Sequence, residues 1–130
     1  VVVHQAMLLT LSQCTDFGAP PIAGAPTPIH VLLYRYERDV WVEDGSVAAF
    51  AIQLQAQDLG LGSCWIQVRE RYDKDGKSAE ENVKELLGIP MDMRVLCVIS
   101  IGEKDEERKR LDEDKCKWEK VHIAQWRNDE

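Results

Sequence analysis

A chain of 130 residues, 45% hydrophobic and 30% charged, fits one domain built around a single modest core. Its net charge of -7 argues against a general nucleic-acid binder, which presents a basic face to phosphates. No apolar run reaches the length a membrane span requires, and the start VVVHQAMLLTLSQC lacks the basic leader and cleavage site of a signal peptide, so the expected setting is the cytoplasm.

In chain order, Val1 to Val3 read as the end of a buried strand, and they would supply part of a fourth strand. A domain rarely begins inside its core, so an N-terminal portion is expected upstream of Val1. Gln5 to Cys14 suits a short amphipathic helix, with Met7, Leu8, Leu9 and Leu11 on its apolar side. Thr15 to Pro28, rich in Gly, Ala and Pro, must be irregular. Ile29 to Tyr36 (IHVLLYRY) is the first clear strand.

Asp44 or Ser46 can cap the next helix, since a short side-chain oxygen satisfies the free amides of a first turn. That helix runs to about Leu59, stops at Gly60 and Gly62, and gives way to a strand over Ser63 to Val68. Asp73 to Lys77 is a polar turn; its DKDG resembles the start of a calcium loop, but the later carboxylates are absent. Ser78 and Glu81 have capping-box separation, and the helix they open ends at Gly88, with Pro90 preventing continuation. Arg94 to Ile101 (RVLCVISI) is the clearest strand, ended by Gly102. Glu103 to Lys120 is charged and nearly balanced in sign, as in a solvated tail. Trp118, Val121, Ile123 and Trp126 then need somewhere to dock, and a neighbouring subunit would serve. Strands separated by helices give a layered α/β or α+β domain.

Few side chains offer a catalytic constellation. Cys14, Cys64, Cys97 and Cys116 form no C-x-x-C pair, which removes zinc-ribbon and thioredoxin-type chemistry. Cys97, inside VLCVIS, reads as a core residue, and disulfides are not expected in a reducing cytosol. His4, His30 and His122 show no metal-ligand spacing, and Ser63 stands in GLGSC, not in a nucleophile elbow.

The unit from Asp44 to Trp65 (DGSVAAFAIQLQAQDLGLGSCW) carries the most information. As a purely structural element it is a buried helix followed by a tight turn. Its body, however, is nearly free of charge, and a helix apolar almost all round needs cover on every side. A glycine-rich turn lets a backbone approach something flat or anionic. Gln53, Gln55 and Gln57 interrupt the apolar surface with amides, which desolvate at lower cost than ions inside a packed interface. The basic run Arg108, Lys109 and Arg110 admits two readings, a solvated turn or a phosphate clamp.

Taken together, APTPIHVLLY (25–34), Trp41 before the D-x-S-x-A-A of Asp44 to Ala49, GLGSCWI (60–66), KELLGIP (84–90), VLCVISIG (95–102), EERK (106–109) and WEKVHI (118–123) resemble the C-terminal two-thirds of a nitroreductase-family flavoprotein. The resemblance covers nearly the whole chain from Ala25. It implies an α+β fold, a three-layer α-β-α sandwich around a mainly antiparallel sheet, in an intertwined homodimer. It implies that the uncharged helix packs on the partner subunit and that the C-terminal segment reaches across to it. It further implies FMN at the dimer seam, with Gly60, Leu61, Gly62 and Ser63 beside the flavin ring and Arg108 or Lys109 near the phosphate. The activity implied is NAD(P)H-dependent reduction of a nitroaromatic, quinone or similar acceptor, with no catalytic side chain and no metal. The family's R-S-x-R motif and its Asn-x-Gln-Pro-Trp segment do not occur in these residues, and Val1 to Val3 correspond to the point just after the latter. Two other expectations stand beside the enzyme: a truncated dimer of the same fold that holds flavin weakly or not at all, and a small α/β module for another ligand.

Overall fold

The computed structural model describes residues 2–3, 7–14, 27–34, 39–105 and 109–126. Strands β1 (Thr27–Tyr34), β2 (Gly62–Gln67) and β3 (Met93–Gly102) form an antiparallel sheet in the order β1-β3-β2. The first strand starts at Thr27, inside the stretch expected to be irregular. Pro28 is tolerated there because it lies at the start of a strand that is at the sheet edge among the described residues. Positions 15–26, 35 and 36 lie outside the described residues. Val2 forms an isolated bridge and is exposed, while Val3 is buried.

Among the described residues three α-helices cover the sheet: α1 (Leu8–Ser12), α2 (Trp41–Asp58) and α3 (Ala79–Leu87). On one face Leu11 and Cys14 pack with Ala79 and Val83 of α3 against Ile66, Val68, Val95 and Val98. On the other, Trp41 and Ala49 of α2 pack against Leu96, Cys97 and Ile99. These two cores on one sheet are the three layers. The assignment of β3 side chains to faces does not follow strict alternation. Val31 pairs with Cys97 but Leu32 pairs with Val95, so Leu96 is an extra residue on β3. Its carbonyl accepts from both Val68 N (3.2 Å) and Arg69 N (3.0 Å). This bulge reverses the parity of the strand, turning the adjacent Leu96 and Cys97 toward the same helix.

Helix α2 begins three residues before Asp44. Val40 is the N-cap and makes no side-chain capping bond, while Ser46 Oγ donates back to Val42 O at 2.7 Å. The expected caps are therefore corrected: Glu43 and Asp44 fall within the first turn, where negative charge suits the helix dipole. Trp41 is held in the helix by packing, with the Arg94 guanidinium 4.9 Å from its ring centroid.

The start of α3 was placed correctly, but its capping box is not formed. Ser78 is the N-cap without a side-chain bond, while Ala79 N donates to Arg71 O (2.9 Å) and Asn82 N to Ser78 O. Asp73 organises the preceding turn: its oxygens accept from the amides of Asp75 and Lys77 and from Asn82 Nδ2. At the far end, Gly88 takes φ +64 and Ile89 N returns to Lys84 O, as a helix-stopping glycine does.

The carboxylate of Glu80 is the main polar group in the core. It accepts Arg94 Nε at 2.7 Å and Arg94 Nη2 at 2.8 Å, and its Oε1 also accepts the Val95 amide at 2.9 Å. Burial pushes its pKa up, but the Arg94 hydrogen bonds, the Val95 amide and the charges of Arg94 and Lys84 outweigh burial and hold it below the ordinary glutamate range. A carboxyl depressed on folding contributes stability that is present above its unfolded pKa, about 4.3, and lost as pH falls through the lower folded value. Glu80→Ala is expected to cost about 3 kcal/mol in urea denaturation at pH 7, since it leaves Arg94 and Lys84 without their counter-charge. Glu80→Gln should show a flatter loss of stability than wild type below about pH 4.3; superimposable acid profiles would remove Glu80 from that role.

Candidate functional site

The glycine-rich turn is built by two glycines with different tasks. After Asp58, Leu59 caps α2, Gly60 N donates to Gln57 O (3.0 Å) and Leu61 N to Ala56 O (2.8 Å). With Gly60 at φ +75, this is the paired 6→1 and 5→2 closure of a left-handed helix stop. Gly60 is required by backbone conformation. Gly62 is not at positive φ. It opens β2 opposite Gly102 of β3, so the two strand ends meet with no side chain between them. A Cβ on Gly62 would meet Lys104 Cγ at 3.4 Å and Gly102 O at 3.6 Å.

Ser63 follows, half-buried, and its Oγ accepts from Gln53 Nε2 at 3.4 Å. A hydroxyl that accepts one bond retains its own proton to donate. Gln57 Oε1 accepts from Lys104 Nζ at 3.0 Å. Two of the three glutamines expected to serve a packed interface therefore bond within their own subunit, and the third, Gln55, is exposed. Behind the turn, half-buried Trp65 packs on the α2 core and donates Nε1 to Gln67 Oε1 at 2.9 Å.

Gly60, Leu61, Gly62 and Ser63 are thus together in one turn. Lys109 is exposed at the start of the C-terminal segment and makes no ion pair among the described residues. Arg108 lies outside the described residues. Lys104 was not singled out from the sequence, where it is one more charge in a solvated run. Its place beside the turn depends on β2 pairing with β3. Cys64 is exposed, whereas burial raises the Cys14 thiol and pushes Cys97 up to about 12. Among the described residues no helix is long and apolar enough to cross a membrane.

The fold occurs in other proteins. The model of the nitroreductase family matches residues 15–103. An FMN-dependent nitroreductase from Clostridium difficile R20291 superposes with a TM-score of 0.91 and 42% sequence identity, over 97% of this chain and 74% of that one. A protein of Archaeoglobus fulgidus named for NADH dehydrogenase/NAD(P)H nitroreductase activity is 34% identical over 97% of this chain and 72% of its own length. A protein of Bacteroides thetaiotaomicron named in the same way superposes with a TM-score of 0.75 at 27% identity, over 97% of this chain and 71% of that one. The chain belongs to the nitroreductase family, with its α+β fold and its oxidoreductase class.

The two turn glycines should separate in a stability measurement. Gly60→Ala places a Cβ at φ +75 and is expected to lower stability by about 1 kcal/mol. Gly62→Ala should change it by less than about 0.5 kcal/mol, because its Cβ would make ordinary contacts. Equal thermal shifts for the two would contradict this division of tasks.

Proposed function

We propose that the protein is an FMN-dependent NAD(P)H oxidoreductase that reduces nitroaromatic, quinone or similar acceptors as a cytoplasmic homodimer. The observation that carries this reading is the 42% identity, over 97% of the chain, to an FMN-dependent nitroreductase. The local chemistry fits an aromatic ring bearing a phosphate. Gly62 adds no side chain at the start of β2, where the flexible Lys104 stem and the Gly102 carbonyl flank its Cβ position, and glycine at such a place suits the close approach of a flat ring. Ser63 keeps a proton to donate to a ring carbonyl or nitrogen. Lys109, exposed in the C-terminal segment, would counter the phosphate charge together with its sequence neighbour Arg108. When bound, FMN supplies the redox chemistry, taking a hydride from NAD(P)H and passing electrons to the acceptor in a ping-pong cycle. The chain's own part is to bind and orient, so no side chain is assigned to proton transfer. Four free thiols suit a reducing compartment.

The dimer is supported by surface that one copy leaves uncovered. On the outward side of α2, Val47 is 70% exposed, Phe50 59% and Leu54 55%, a stripe at helical spacing. Trp118, Val121, Ile123 and Trp126 are exposed on the C-terminal segment. Apolar residues clustered in this way mark a contact surface.

Two measurements test the reading. Purified protein should carry or take up FMN, and NAD(P)H should bleach its visible band; Gly62→Val should weaken FMN binding at least tenfold with the fold retained, and Arg108→Ala should weaken FMN more than riboflavin, which has no phosphate. A colourless protein that ignores added FMN would favour the flavin-free dimer. In light scattering at micromolar concentration the wild type should have twice the mass of one chain, and Leu54→Lys should shift it toward one. A monomeric wild type would remove the dimer.

A further inference from the structure

The charged run after β3 was expected to be solvated, yet one of its residues is built into the turn. Lys104 lies just beyond the strand end where Gly62 and Gly102 face each other. Its Cγ and Cα lie 3.4 and 3.9 Å from the point where a Gly62 Cβ would stand, so the aliphatic stem crosses the notch between the two glycines. Its ammonium then reaches Gln57 Oε1 at 3.0 Å, in the last turn of α2. That last turn contains Asp58 and no basic residue of its own. The carboxyl end of a helix carries partial negative charge, so a cation arriving from β3 is electrostatically favoured there.

We propose that Lys104 is a positioning residue for the turn at Gly60–Ser63. Its stem and ammonium tie three elements across one glycine notch: the end of α2, the first residue of β2 and the last residue of β3. With the strap in place, the backbone of Leu61 to Ser63 holds its direction before any ligand arrives. A ligand then binds without having to order that segment, which raises affinity through preorganisation. For flavin recognition this rests on the functional reading above; the strap itself does not.

The test uses the full chain with Lys104→Met, which keeps the stem and removes the ammonium, and Lys104→Arg, which keeps a cation. In Lys104→Met, amide hydrogen exchange at Leu61 and Gly62 should accelerate roughly three- to tenfold, as loss of one charge-assisted hydrogen bond implies. Exchange at Val95 to Ser100 should be unchanged, and Lys104→Arg should restore the turn. FMN and riboflavin should both weaken by a similar factor, since the strap acts on the turn and not on the phosphate. Unchanged exchange at the turn would overturn the proposal whether or not flavin binds. So would acceleration throughout β3, which would make Lys104 a general stability residue. A loss confined to FMN would make Lys104 a phosphate contact and also overturn it. If the wild type binds neither flavin, the functional reading fails, while the exchange data still decide the strap.

Discussion

Glu80 joins parts of the fold that the backbone ladder does not. Near Val95 the β2–β3 ladder has ended, because the bulge gives the Leu96 carbonyl to two amides of the departing chain. The Val95 amide is buried there and takes the Glu80 carboxylate of α3 as its acceptor. The same carboxylate holds Arg94 in a two-pronged grip, and Arg94 extends to the ring of Trp41 at the start of α2. One buried charge thus links the helix on one face, the central strand, and the helix on the other face. An unpaired carboxylate in that position would be costly, so the arrangement is held as a unit.

This linkage fixes α2 at its first residue, and the left-handed stop at Gly60 fixes it at its last. Between these points the helix serves two surfaces. Gly45, Ala49 and Ala56 are small and buried, which lets the helix lie close to the sheet. Val47, Phe50 and Leu54 point away from it. A helix whose only partner were the sheet would carry polar residues on that outer side. The nearly charge-free body read from the sequence is therefore two apolar faces on one rod, one packed on the sheet and one exposed.

Much of this was legible from local pattern. The three strands and the two longer helices lie where hydrophobic runs and glycine stops placed them, because those signals act over a few residues. What failed was chemistry decided at a distance. The start of α2 was missed because Trp41 is recruited by Arg94, 53 positions along the chain by residue number. The capping box at Ser78 has the right local spacing, yet Ser78 makes no side-chain capping bond, and the first helical amide, that of Ala79, donates to Arg71 O in the loop. The bulge at Leu96 has no sequence mark, since Leu and Cys suit either face of a buried strand. At the turn, GLGS is visible as a local motif, while Lys104 is hidden by its distance of 47 positions from Gln57.

The turn shows why similar glycines cannot be read alike. Gly60 answers to the helix: its φ of +75 closes the last carbonyls, and any protein ending a helix this way would choose glycine. That glycine alone is no evidence of a ligand. Gly62 has no such conformational need, yet it faces a second glycine across the ladder, leaving a notch that a lysine stem crosses. Paired glycines weaken a sheet, because they add backbone entropy and bury no side chain. Among the described residues, what approaches the backbone there is the stem of Lys104. The two glycines of GLGS thus differ in kind: the first closes a helix, and the second stands at a strand end with Ser63 beside it and Lys104 across it.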